Sequence, residues 1–138
     1  MVRQPCALTA GQVHQQIVSA WRAKDWERLR MLIHPAGSFQ MIAAGGRLVG
    51  AEEFVERMIA ADSTVFGVDD LAYTALSEEF LLVTGSAREP LERGHRVSRV
   101  VWLVEVRDEM AYGSSPFRSK EAALAEYERQ RLEAARRW

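Results

Sequence analysis

The chain has 138 residues, 48% hydrophobic and 27% charged, a length and balance that fit one globular domain with its own core. Its 18 Lys and Arg nearly cancel 19 Asp and Glu, for a formal net charge of -1. That excludes the cationic surplus with which a dedicated nucleic-acid binder neutralises phosphates. Cys6 stands alone, so neither an internal disulfide nor a cysteine zinc set is available. No apolar run approaches the roughly 20 residues of a membrane helix. Met1 to Leu8 hold one Arg and no long apolar core, unlike a secretory leader. The expectation is a cytoplasmic protein without a membrane or nucleic-acid partner.

In chain order, Thr9 and Gln12 form a capping-box pattern ahead of Val13, Ile17, Ala20 and Trp21, which recur at helical spacing. Asp25 is a good N-cap for a second helix with the stripe Trp26, Leu29, Leu32 and Ile33, ended by Pro35. Ser38 to Ile42 reads as a strand, Gly45-Gly46 as a hairpin-type turn and Arg47 to Val49 as a return strand. Gly50 opens a third helix with Phe54, Val55, Met58 and Ile59 on one side. Four strands follow, about 64–76, 79–88, 95–107 and 110–117, joined closely enough to pair antiparallel. Ser119 caps a last helix rich in Ala, Glu and Arg that runs to Trp138, with a thin apolar side of Ala123, Leu124, Tyr127 and Leu132.

Two stretches carry a resemblance. Ala23-Lys24-Asp25-Trp26, followed by a short helix, a strand and Gly50-Ala51-Glu52-Glu53-Phe54, is similar to the opening of SnoaL-like domains. Trp102-Leu103-Val104-Glu105-Val106-Arg107-Asp108, followed by a strand and Glu121-Ala122-Ala123-Leu124, resembles their ending. The chain thus resembles the nuclear transport factor 2-like superfamily, the SnoaL-like branch related to polyketide cyclases and ketosteroid isomerases. The resemblance implies an α+β fold over residues 1–138: a cone-shaped, curved, mainly antiparallel sheet packed on N-terminal helices, with residues 119–138 as an added C-terminal helix. It does not imply one chemistry, because this fold serves isomerases, cyclases, epoxide hydrolases and binding modules alike.

Matched to the steroid isomerases, the positions of their catalytic tyrosine and two aspartates fall at Ile17, Met41 and Leu103, all apolar here. The usual acid–base set is therefore absent from its expected positions. Titratable groups that could stand in are His34, at the end of the second helix, with Arg99 as an anion clamp and Glu105 as a base. Arg99 and Glu105 are six residues apart on one strand, roughly 20 Å, so each needs a partner from elsewhere. His14 falls off the apolar face of the first helix and His95 lies beside a turn; both are expected at the surface. No two histidines share metal-ligand spacing on one element, and no phosphate loop or dinucleotide fingerprint occurs, so neither metal nor cofactor is expected.

Alternation splits residues 95–107 into two faces, one with Val97, Arg99, Val101, Leu103 and Glu105, the other with Ser98, Val100, Trp102, Val104 and Val106. The resemblance turns the first set into the cone. The second, more apolar set is then expected on the outer sheet face, with Trp102 in a homodimer interface. A pocket would be lined by Ile17, Trp21, Phe39, Met41, Tyr73, Val101, Leu103 and Ser114, with Gln40 as a further polar contact. The expected function is binding of a small, largely apolar metabolite. The alternatives are a lyase, isomerase or cyclase with relocated acid–base residues, and a dimeric interaction module without an open pocket.

Overall fold

In the computed structural model, which describes residues 8–41, 46–61 and 67–136, two helices, two strands, a helix, four strands and a last helix follow one another. Helix α1 (Ala10–Ala23) starts at a closed capping box. Thr9 accepts from the Gln12 backbone N–H, and the Gln12 side chain accepts from the Thr9 N–H, which satisfies two of the donors that every helix start leaves open. Lys24, at φ 57°, ends the helix in the left-handed region. The buried face is Ala10, Val13, Ile17, Ala20 and Trp21.

Helix α2 (Trp26–Met31) is capped by Asp25 and is shorter than its stripe predicts. Leu32 is already its C-cap, and Ile33 opens strand β1 (Ile33–Met41). Two forces end the helix early. Pro35 disfavours helical angles just before it, and the segment pairs parallel with strand β6 (Met110–Phe117), where the Ala111 N–H reaches the Leu32 carbonyl at 2.8 Å. Pro35 lies where that register shifts, between Ile33 and Ser38, so its missing N–H removes no ladder bond.

Strand β2 (Arg47–Gly50) returns antiparallel to β1 after Gly46, whose φ of 78° suits the turn; Gly45 and Ile42 lie outside the described residues. Gly50 is the N-cap of α3 (Ala51–Ala60). Strands β3 (Gly67–Ala75), β4 (Phe80–Pro90), β5 (His95–Arg107) and β6 pair in sequence, all antiparallel. Residues 64–66, expected in β3, lie outside the described residues. The sheet order is β2-β1-β6-β5-β4-β3, and among the described strands only the β1–β6 pair is parallel.

Each face of the sheet is covered in part. On the inner face Phe39, Leu81, Val83, Val104, Val106 and Ala111 pack with Val13, Ile17 and Leu29 of the N-terminal helices. On the outer face Leu82 and Val101 are buried beneath Ala123 of α4 (Lys120–Arg136). Ser119 caps α4 by accepting from the Ala122 N–H, and Tyr127 donates its hydroxyl proton to the Leu76 carbonyl at 3.2 Å. No helix among the described residues is long and apolar enough to cross a membrane.

This corrects the assignment of faces on β5. Trp102 and Val104 belong to the inner cluster, whereas Val101 is buried in the outer one and Leu103 pairs with Leu82 on that side. The reason is packing: α1 presents the broader apolar face and takes the more apolar half of β5. Trp102 is therefore not on the outer sheet face, and an interface there would not use it.

Candidate functional site

Between the inner sheet face, α1 and α3 lies a cavity of about 430 Å³, within the range of small-molecule sites. Its wall is mostly apolar and aromatic. Ile17 and Trp21 come from α1, Phe54 and Met58 from α3, Phe39 and Met41 from β1, and Trp102 and Ser114 from β5 and β6. The Trp21 indole N–H donates to the carbonyls of Met58 and Ala61, each at 2.9 Å, so its one polar atom is satisfied and the ring serves as wall.

The cavity reaches a free edge of the sheet. Strand β6 ends at Phe117 opposite Val101, while β5 runs on to His95 paired only with β4 among the described strands. Arg99, Val100, Val101 and Phe117 border the cavity at this edge. Arg99 is exposed there, and none of the described residues is its ion-pair partner.

The polar centre of the wall is His14. Its Nδ1 lies 3.1 Å from the Tyr73 hydroxyl, and the two rings meet edge-on with centroids 5.3 Å apart. Burial lowers the His14 pKa to about 4, because the imidazolium would lose its hydration here; the ring is neutral at pH 7. Burial also raises the Tyr73 pKa, against a smaller opposing effect of Arg22. Nε2 of His14 has no hydrogen-bond partner among the described residues. Tyr73 does not itself border the cavity, so a molecule there meets Nε2 of His14, a donor in one tautomer and an acceptor in the other.

His14 was expected at the surface, and the structure corrects this. The signal was present in the sequence: His14, Ile17, Val18 and Trp21 stand at helical spacing as a second row beside the Val13 row, and all four border the cavity. Of the expected lining, Ile17, Trp21, Phe39, Met41 and Ser114 border the cavity. Tyr73 packs on the inner core and contributes through its bond to His14. Val101 touches the edge of the cavity, although its side chain is buried in the outer cluster. Leu103 faces away with Leu82. Gln40 borders the cavity and donates from Nε2 to the Gly46 carbonyl.

His34, Arg99 and Glu105 do not converge. His34 Nδ1 accepts from the Ala36 N–H at 3.0 Å, its Nε2 lies 3.4 Å from Asp108, and its ring meets Tyr112 edge-on; these contacts hold the bend at Pro35. Glu105 is paired with Arg107 at 2.5 Å, and Arg107 lies 4.2 Å over the Tyr112 ring. Neither His34 nor Glu105 borders the cavity. Arg57, which does, donates to Glu53 at 2.8 Å. Hydrogen bonds from Arg47 and Arg57 hold that carboxyl below the usual range. No group of three metal-binding side chains converges among the described residues.

No protein-family model matches this sequence, and no curated protein does. Solved structures do match. An NTF2-like protein of unknown function from Cytophaga hutchinsonii is similar with a TM-score of 0.65 and 8% identity, over 83% of this chain and 93% of that one. A candidate polyketide cyclase from Xanthomonas campestris is similar with a TM-score of 0.63 and 15% identity, over 84% and 94%. An LEH-like epoxide hydrolase from M. tuberculosis is similar with a TM-score of 0.61 and 10% identity, over 75% and 77%. This chain has the nuclear transport factor 2-like fold. The three likenesses include both an enzyme and a protein of unknown function, so the nuclear transport factor 2-like cone leaves its chemistry to the side chains that line it.

Proposed function

We propose that this protein binds a small, largely apolar metabolite inside the cone, with His14, bonded to Tyr73, as its polar contact. One observation carries the reading: an apolar, aromatic cavity of about 430 Å³ whose wall contains a neutral histidine hydrogen-bonded to a tyrosine. Such a wall favours an uncharged ligand end, because any ion facing it loses hydration without gaining a counter-charge. A hydroxyl group suits Nε2 of His14 in either tautomer, and a carbonyl suits it when Nε2 carries the proton.

The test uses native mass spectrometry and binding titrations on the purified protein and on Ser114→Phe. Ser114 stands beside Phe39 in the β1–β6 register and borders the cavity, so a phenyl ring there fills it. The expected result is a bound small molecule in the parent protein that is lost in the folded variant. Equal binding by both proteins would overturn the reading.

A second reading is favoured by the same hydrogen bond. Two titratable groups in contact at the wall of an apolar cavity can move a proton, as a relocated acid–base pair would. In that case both His14→Gln and Tyr73→Phe abolish turnover while apolar ligands still bind. Binding that persists without turnover in the parent protein leaves the first reading alone.

Assembly is a separate proposal. A homodimer through the outer sheet face would use exposed side chains such as Val97, 66% exposed, instead of Trp102. Sedimentation velocity on the parent and on Val97→Asp checks it, with a dimer expected only for the parent.

A further inference from the structure

The inner end of the cavity is neutral and its edge is not. Arg99 stands in the outer row of β5 with Val101, but at the free edge, where β6 has ended, it borders the cavity; it is exposed and has no ion-pair partner among the described residues. Three other arginines are already engaged, while Arg88, whose Nε is buried without a partner among the described residues, does not border the cavity. Arg57 is held by Glu53, Arg22 donates to the Val68 carbonyl, and Arg96 is paired with Glu89. From this juxtaposition we infer that the cavity takes an amphipathic monoanion, with an apolar body inside, a hydroxyl or carbonyl end at His14, and a carboxylate at Arg99. The inference rests on the pocket reading above and adds the charged end of the ligand.

The chemistry sorts the two ends. A carboxylate at the His14 end would face a ring that burial keeps uncharged, with no cation to balance it. At the β5 edge it would meet a planar guanidinium whose donor fork fits a carboxylate in two parallel bonds. Because Arg99 is solvent-exposed, water and salt screen the pair and the gain is small, so the apolar body carries most of the affinity and Arg99 sets orientation and selectivity.

The experiment compares 10-hydroxydecanoate with its methyl ester, which share a hydroxyl end and an apolar body and differ at the other end in charge and one methyl group. Calorimetry and the fluorescence of Trp21 and Trp102, both in the cavity wall, report binding to the parent and to Arg99→Gln. The expected result is an acid bound about fivefold more tightly than the ester by the parent, the size of an exposed ion pair. That preference disappears in Arg99→Gln, with ester affinity unchanged, and shrinks in high salt. Equal binding of acid and ester by the parent, or a preference that survives in Arg99→Gln, would overturn the inference and leave the pocket reading standing. Binding of neither probe at millimolar concentration would overturn both.

Discussion

His14 is the residue whose chemistry departs furthest from what its position in the sequence announces. Its pKa falls from 6.5 to about 4 on folding, so between these values the unfolded chain takes up a proton that the folded protein refuses. The linked stability is fully present above pH 6.5 and is lost as pH falls toward 4, by about 3 kcal/mol for a shift of this size. Below pH 4 both states are protonated and this contribution stays flat. Urea unfolding from pH 7.5 to 4 is expected to show that decline in the parent and a shallower one in His14→Gln. An equal slope in both proteins would place the titration elsewhere. Gly37 makes a second test at this scale. A β-carbon there would come within 2.9 Å of both the Phe39 ring and the Tyr112 carbonyl oxygen. Gly37→Ala is therefore expected to cost about 1–3 kcal/mol in urea unfolding through overpacking, because backbone cannot yield as a flexible side chain would.

Among the elements, α1 is the most fully written in local sequence. Its capping box and its buried row follow directly from residue type and spacing, and Thr9→Ala should lower stability by about 1 kcal/mol. A loss of that size in denaturant midpoint, with the slope unchanged, is the expected signature. The end of α2 was less legible: Pro35 marked a boundary, but the pairing of Ile33 with Ala111 moved it two residues earlier. Helix α4 rests on Ala123, fully buried, and on Tyr127, which bonds the Leu76 carbonyl and meets the Phe80 ring edge-on. Its outer surface is a ladder of ion pairs such as Glu126–Arg129–Glu133, each worth little in water. Ala123→Asp puts a charge into the buried contact and should release α4 from the sheet. Limited proteolysis within residues 120–136, with the rest of the chain protected, is the expected outcome.

At the scale of the whole molecule, the cavity is a part of the core that side chains leave unfilled, and a ligand that fills it stabilises only the folded state. A ligand at about a hundredfold excess over its dissociation constant adds about 2.7 kcal/mol. A probe that binds should therefore raise the melting temperature of the parent and not of Ser114→Phe; a rise in both would mean binding outside the cone. The free edge of β5 gives this cavity its asymmetry, apolar and neutral within, cationic where β6 stops.

Ile17, Trp21, Phe39, Met41 and Ser114 were expected in a pocket and border the cavity; the sequence by itself determined the α+β class, the order of helices and strands, and the caps of α1 and α2. Each follows from local spacing or from a motif quoted in place. Only the tertiary structure decided which face of β5 turns inward and that His14 meets Tyr73. Alternation separates two faces of a strand without saying which is covered by what, and here each is covered in part, one by α1 and the other by α4. The inner face went to the residues that could meet the broad apolar side of α1, which carried Trp102 into the wall and Leu103 out of it. His14 was hidden for a related reason: a polar residue at the margin of a helical stripe is exposed on a flat sheet and enclosed when the sheet curves around the helix.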